Sequence, residues 1–235
     1  MSPLATLEIA LRQSQAYSAL ADSHVHRATR EDSLGIIKGR DAITAAWVNE
    51  DAGEITIDHD LGDMIAYTVN GTWKGHRWVW REEGRILREV VIEDRGEPRT
   101  APPAHPPLGE LRSGLGQYAA TSDAILSPDW PEDARDIAHH LHRIWNARSF
   151  DQGAEDWVAP LVRALPDATF TFERAIVSDG KTAILWRVQG HHSTGQRVRL
   201  IGSSVVVGGD VESVIDHAAM EAQLERELVD YGAAG

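Results

Sequence analysis

The same order of predicted elements occurs twice in this chain of 235 residues, and the repetition limits the possible folds more than any other feature. Each copy begins with helical periodicity and continues with four strand-like runs. Between the copies lies the segment 96–107, which holds five of the ten prolines and so lacks amide donors that helices and central strands need. The pattern predicts a first domain at 1–97, a linker rich in proline and glycine at 98–131, and a second domain at 132–235.

The two copies also agree in the type of each element. In the first copy, two helices are expected before residue 48, and strands are expected at 54–60, 64–71, 73–81 and 86–94. In the second copy, helices are expected at 133–147 and 155–164, strands at 169–177, 182–190, 197–207 and 211–216, and a last helix from 220. Helices followed by meandering strands predict an α+β fold, in which each bent antiparallel sheet wraps around its N-terminal helices as a cone. The open end of a cone is where a small ligand would bind.

Composition excludes several classes of function. The chain has 36 acidic and 23 basic residues, a net charge of −13, so it offers no basic face for nucleic acid or an anionic membrane. It has no cysteine, which rules out disulfides and thiolate metal sites. Without a leader pattern or a long apolar run, a cytoplasmic protein is expected. No nucleotide-binding loop is recognisable, and we expect no cofactor.

Short motifs recur in the same order in both copies. The first copy has Gly71-Thr-Trp-Lys-Gly75, and the second has Gly190-His-His192 and a closing strand that ends at Asp216, followed by Leu224 in a helix. In these motifs the chain resembles the nuclear transport factor 2-like superfamily, which includes ketosteroid isomerases, scytalone dehydratase and the SnoaL-like polyketide cyclases. The resemblance implies two fused cone domains that pack against each other as two subunits of a homodimer would. A homodimer of the whole chain through its sheet faces is a further expectation.

The resemblance places catalysis in the second copy. It implies that His192 is a general acid or base, since an imidazole exchanges protons near neutral pH, and that Asp216 orients it or is itself the base. The alternatives are a histidine packed at the sheet edge and an aspartate that caps the following helix. The sequence departs from the family at Trp73, which replaces the histidine in the first copy, and at Ser213, which replaces an acidic residue.

Other residues are candidates for contact with a substrate. Trp145, Asn146 and Trp186 would line the second cone, with Asn146 donating to a carbonyl or enolate oxygen, although large aromatic residues are more often core. In the first copy the candidates are His24, His26, Trp73, His76 and Asp94. His24 and His26 would share a face of an extended stretch and could form a metal pair or a proton relay. The alternative is a polar loop, and we expect no metal.

These residues favour a cofactor-independent acid/base enzyme as the first hypothesis. An isomerase, dehydratase, lyase or cyclase acting on a small hydrophobic substrate with a carbonyl or hydroxyl group would fit. In this hypothesis the second domain is active and the first is degenerate. The rival hypothesis is a non-catalytic module of the same fold that binds a small ligand or supports assembly. A second cone filled by Trp145 or Trp186 would favour the rival.

Overall fold

The computed structural model describes residues 2–14, 22–47, 53–94, 130–146 and 157–232. The predicted linker at 98–131 lies outside the described residues except for its last two positions. Within the described part of the chain, no helix is long and apolar enough to cross a membrane.

The first half forms one six-stranded sheet with two helices. Its elements are α1 (Pro3–Ser14), β1 (His24–Asp32), β2 (Gly35–Lys38), α2 (Arg40–Trp47), β3 (Glu54–Asp60), β4 (Met64–Asn70), β5 (Lys74–Glu82) and β6 (Arg85–Asp94). The strand order is β2-β1-β6-β5-β4-β3. All neighbours are antiparallel except β1 and β6, which run parallel. The stretch around His24 is therefore a strand of the sheet and not a polar loop.

The second half forms a four-stranded sheet with three described helices. Its elements are α3 (Glu132–Asn146), α4 (Val158–Ala164), β7 (Thr169–Ser178), β8 (Lys181–His191), β9 (Arg197–Val207), β10 (Asp210–Ile215) and α5 (His217–Gly232). The strand order is β10-β9-β8-β7, and every pairing is antiparallel. The last helix begins three residues earlier than the sequence predicted.

The two sheets share an irregularity in strand pairing at equivalent positions, as expected for a repeated fold. The pairing of β3 with β4 shifts register between Ile57 and His59, after the fourth residue of β3. The pairing of β7 with β8 shifts register between Phe172 and Arg174, again after the fourth residue of the strand. A β-bulge bends a strand and increases its twist. Both copies therefore bend their first meander strand at the same point.

Each sheet buries both of its faces. The inner face of the first sheet packs on α1 and α2 through apolar residues that include Ala5, Ile43 and Tyr67. The inner face of the second sheet packs on α3, α4 and α5 in a larger core. The outer faces of the two sheets cover each other through Trp78, Leu185 and similar residues. The α+β class with two bent sheets around helices is confirmed.

Polar contacts cross between the outer faces. Four charges, of which Glu31 is fully buried and the other three are mostly buried, form a closed ring, which we call the interface ring: Glu31 and Arg88 from the first half, and Glu173 and Arg187 from the second. The four ion pairs measure 2.7–3.0 Å, and opposite charges alternate around the ring. The two positive and two negative charges compensate each other, as buried ions require.

Candidate ligand site in the first half

The helix α1 places charged side chains against the inner face of the first sheet. Glu8 and Arg12 are one turn apart, so they lie on the side of the helix that also carries the buried Ala5. The Arg12 Nε donates to Glu8 Oε1 at 3.1 Å. Both side chains are almost completely buried. A helix that packs with its charges inward needs partners on the facing sheet.

Strand alternation supplies these partners. On β5, Arg77 and Arg81 share a face with Val79, which belongs to the inner core. On β6, Glu89 is the register partner of Val79 and lies on the same face. On β1, Arg30 pairs with Glu89 in the parallel ladder. Five strand positions thus face α1, four of them charged.

The charges connect in a continuous series. Arg81 donates to Glu8, Glu8 accepts from Arg12, and Arg12 donates to Glu89. The series ends at Arg30, whose Nη1 lies 3.7 Å from Glu89 Oε2. A neighbouring pair, Arg77 with Glu93, is also buried. We call these seven residues the buried charge cluster: Glu8, Arg12, Arg30, Arg77, Arg81, Glu89 and Glu93.

Two aromatic side chains hold two of the three glutamates in place. The Trp47 indole N–H donates to Glu89 Oε2 at 3.0 Å, and the Tyr67 hydroxyl donates to Glu8 Oε1 at 3.1 Å. The Arg12 guanidinium also lies 3.6 Å from the centre of the Trp47 ring, a cation–π contact. The interior of the first half is therefore polar and closely connected.

The electrostatics keep Glu89 ionised and Tyr67 neutral. Burial by itself raises the pKa of Glu89, but the facing cations Arg12 and Arg30 reverse the effect and hold it well below its usual range. Burial raises the pKa of Tyr67 well above 10. Glu89 is consequently a weak base at neutral pH, and Tyr67 stays a hydrogen-bond donor.

His24 belongs to this interior, whereas His26 does not. His24 is 2% exposed, and its ring meets the edge of Trp47 with centroids 5.1 Å apart. His26 is exposed. The two rings therefore do not meet in one interior as a metal pair or a proton relay would require, and the pairing of β1 with β6 changes register between His24 and Thr29. Among the described residues, no three histidine or acidic side chains are grouped as a metal would need.

The interior of the second half is filled by aromatic rings. Trp145 contacts Trp157, Phe170, Phe172 and Trp186, with ring centroids 5.1–5.8 Å apart. The Trp186 indole N–H donates to Ser204 Oγ at 2.9 Å, so its polar atom is satisfied within the core. Trp145 and Trp186 thus pack as core rather than as the wall of an open space.

Asn146 is bound to the protein backbone. Its Oδ1 accepts from the Phe170 N–H at 2.9 Å, and its Nδ2 donates to the Phe170 carbonyl at 3.4 Å. Both ends of the amide are used to join the end of α3 to β7. The role of an oxyanion donor, which the sequence suggested for Asn146, would require these two bonds to be given up.

His192 does not lie on a strand that faces the interior. The strand β8 ends at His191, and His192 begins a turn closed by its own N–H bond to the Gln196 carbonyl at 2.8 Å. Its Nδ1 lies 3.0 Å from Thr194 Oγ1, within the same turn. The prediction that His192 lies on the strand is therefore wrong, because β8 ends one residue before it.

Asp216 caps α5. It is fully buried, and its Oδ1 accepts from the Ala219 N–H at 3.0 Å, which is the N-cap arrangement. Asp216 follows Ile215, which pairs with Gly202 on β9, whereas His192 bonds to Gln196, just before β9 begins. Gly202 and Gln196 are six residues apart along the chain, which is roughly 20 Å at 3.3 Å per residue. The geometry does not bring His192 and Asp216 together.

The remaining predicted residues lie apart from the buried charge cluster. Trp73 is in the turn between β4 and β5 and is partly exposed. His76 is buried on the outer face of β5, beside Ser203 of the second half, and does not point into the first interior. Asp94 is the exposed last residue of β6, 3.9 Å from His217. His76 points to the outer face because successive side chains of a strand alternate between its faces and Arg77 takes the inward position.

The sequence analysis missed the buried charge cluster. A usable signal was present. Arg77 and Arg81 are four positions apart with an apolar residue midway between them, and the same holds for Glu89 and Glu93. Charged side chains on one parity of two paired strands indicate a shared face. The decisive fact, that α1 covers this face, is not visible in the local pattern.

Comparison with known proteins gives matches in structure alone. No protein-family model matches the chain, and no curated protein is significantly similar to it. The fold is similar to a nuclear transport factor 2-like protein of unknown function from Cytophaga hutchinsonii, with 14% identity, 39% of this chain and 87% of that chain covered, and a TM-score of 0.33.

Two further solved structures carry names of enzymes. A candidate ketosteroid isomerase from Kribbella flavida is 15% identical over 43% of this chain and 81% of that chain, with a TM-score of 0.34. A candidate polyketide cyclase from Acidithiobacillus ferrooxidans is 17% identical over 51% and 92%, with a TM-score of 0.26. These names fall in the superfamily that the repeated sequence motifs resemble. What this chain binds must be inferred from its own residues.

Proposed function

We propose that the chain is a small-ligand-binding protein whose site lies between α1, α2 and the inner face of the first sheet. One contrast carries this proposal: the second interior is packed with aromatic rings, whereas the first holds charged and hydrogen-bonding groups that converge from two helices and the facing sheet. Binding sites combine apolar walls with a few convergent polar groups. The first half, rather than the second, meets this description.

The indole N–H resonances of two tryptophans provide the test. Trp47 lies in the proposed site and Trp186 lies in the second core, and each can be assigned by its phenylalanine variant. We expect small aromatic probes, acetophenone and benzoate at millimolar concentration, to shift the Trp47 signal and leave the Trp186 signal in place. Shifts confined to Trp186, or no shift with either probe, would reject the proposal.

Proton-transfer catalysis is the second candidate function. His24 favours it, since a buried imidazole lies against Trp47 in the same interior as Glu89. Such a group could move a proton on a carbonyl substrate. The isomerase, dehydratase, lyase and cyclase reactions remain open in this candidate. His192 is the other proposed acid or base, but its ring is held in a surface turn.

A ketosteroid is a suitable probe, because one matched structure carries that name. We expect the protein to catalyse exchange of the acidic C–H hydrogens for deuterium, and His24→Gln to abolish it while His192→Gln does not. Equal exchange in wild type and H24Q would remove His24 as the catalytic residue. If none of the proteins exchanges, binding without catalysis is the function that remains.

A further inference from the structure

The strand β9 has an edge that β10 covers only in part. The pairing of these two strands runs from Val207 opposite Asp210 to Gly202 opposite Ile215. The segment 197–201 of β9 pairs with β8 on one side, but within the described part of the chain no strand lies beside it on the other. An open edge presents backbone N–H and carbonyl groups at alternate residues, and these groups need other partners.

Two side chains cover this edge. The amide of Gln223, on α5, mimics a strand residue, since its Oε1 accepts from the Arg199 N–H at 3.0 Å and its Nε2 donates to the Arg199 carbonyl at 2.7 Å. Further along the same edge, the Ile201 N–H donates to Ser33 Oγ at 3.0 Å. Gln223 Nε2 also donates to the Ser33 carbonyl at 3.0 Å, which joins the two covers. A residue of the first half thus closes part of the second sheet.

Ser33 belongs to the turn between β1 and β2, and this turn reaches into the second half. The next residue, Leu34, is 4% exposed and belongs to the apolar core of the second half rather than to that of the first. The turn is shaped by its own residues, since Asp32 Oδ1 accepts from the N–H groups of Leu34 at 2.8 Å and Gly35 at 3.1 Å. A preformed turn therefore inserts an apolar side chain and a hydroxyl into the neighbouring half.

The root of the turn is fixed, but its tip has little support from its own half. Below the turn, β1 is anchored by Arg30 in the buried charge cluster and by Glu31 in the interface ring. Beyond the turn, β2 is the outermost strand of its sheet and pairs only with β1 among the described strands. Local opening occurs preferentially in elements with few neighbours. The closed position of the tip therefore depends on the contacts of Ser33 and Leu34 with the second half.

We propose that the turn at residues 32–35 is a latch of the second half, which opens as a local unit while both sheets remain folded. Opening withdraws Leu34 from the second core, frees the Ile201 N–H and removes one of the partners of Gln223. Each of these contacts involves a side chain, so a strand ladder need not break. An uncovered sheet edge can accept an extended segment, and the first half thereby controls access to the segment 197–201.

Hydrogen exchange of the backbone amides in the full chain, followed residue by residue by NMR, tests the latch. The amides of Arg199 and Ile201 should exchange when the latch opens. Val205, on the same strand, is paired with both β8 and β10 and should exchange only in larger unfolding events. After correction for intrinsic rates, we expect the first two amides to exchange about tenfold or more faster than that of Val205.

Two matched leucine variants identify the part that moves. Leu34→Ala weakens the closed latch but not the open one, so we expect the amides of Arg199 and Ile201 to exchange about tenfold or more faster than in wild type. The control Leu161→Ala removes the same group from α4 in the same core. Leu161 stays in place when the latch opens. The control should therefore accelerate exchange at Val205 and leave Arg199 and Ile201 at their wild-type rates.

Three results would overturn the inference. Equal acceleration of Arg199 and Ile201 in L34A and L161A would mean that the edge opens only with the whole core. No acceleration of these amides in L34A would mean that the turn does not take part in the opening. Wild-type exchange no faster at these amides than at Val205 would mean that no local opening occurs.

If L34A does not fold, Ser33→Ala takes its place, because it removes the acceptor of the Ile201 N–H and leaves the apolar core intact. Its control is Ser178→Ala, which removes a hydroxyl 2.8 Å from His59 at another contact between the halves. Faster exchange of the Arg199 amide in S33A alone supports the latch. An unchanged rate in S33A, or the same increase in S178A, overturns it.

Discussion

Glu31 and Arg187 form an ion pair of 2.9 Å that joins the first sheet to the second. Glu31 is fully buried and Arg187 is mostly buried, and both also belong to the interface ring through Arg88 and Glu173. Burial alone would raise the pKa of Glu173, but Arg187 and Arg88 lower it below its ordinary value. The two halves are thus held together by compensated charge as well as by apolar contact.

Removing one member of the interface ring should destabilise the whole chain. Arg187→Met leaves Glu31 and Glu173 to share Arg88 as their one cation in the ring, so one negative charge is no longer compensated, and we expect a loss of about 3 kcal/mol in the free energy of unfolding. Urea denaturation followed by circular dichroism measures it. The control Arg27→Met removes a solvent-exposed pair with Glu82 and should cost less than about 1 kcal/mol. Equal losses in the two variants would show that the ring contributes nothing special.

Gly202 should be required for the position of Trp186. A Cβ added at Gly202 would lie 2.2 Å from the Trp186 ring, so one of the two must move. We expect Gly202→Ala to cost about 1–3 kcal/mol, as overpacking does. Trp186→Phe removes the atoms that clash, and a double-mutant cycle measures the coupling. Strictly additive losses would contradict the proposed clash.

The cap formed by Asp216 predicts a simple substitution series. Asp216→Ala removes the acceptor of the Ala219 N–H and should lower the free energy of unfolding by about 1 kcal/mol. Asp216→Asn keeps an oxygen at the cap and should retain most of that stability. Thermal and urea unfolding check both. An asparagine variant as unstable as the alanine variant would indicate that Asp216 acts through its charge instead.

The sequence predicted the elements better than it predicted the site. Helices and meandering strands are set by local periodicity, so the order of the second half and the last four strands of the first were recoverable. The strands β1 and β2 of the first sheet were not among those predicted. His192 was misplaced because the end of β8 depends on a turn closed by Gly195 and Gln196, which no periodicity marks. Arg30 was missed because its burial depends on long-range packing beside Glu89 on a parallel strand. Contacts between distant segments decided the chemistry of the interior.

The buried His76 should make stability depend on pH. Burial lowers the pKa of His76 to about 4, while an unfolded histidine titrates near 6.5. As the pH falls below about 6.5 the unfolded state binds the proton first, so stability is lost down to about pH 4 and no further. The difference corresponds to about 3 kcal/mol for this group. His59, whose pKa burial also lowers to about 4, acts in the same direction.

His76→Gln isolates this contribution. Near pH 7 the variant should be less stable than wild type, because the contact between His76 and the Ser203 backbone is lost. Toward pH 4 the deficit should shrink or reverse, since glutamine has no proton to exclude. Urea unfolding at a series of pH values measures both curves. The control His26→Gln changes an exposed histidine and should leave the wild-type curve unaltered. Parallel curves for H76Q and wild type would mean that His76 is protonated in the folded chain without cost.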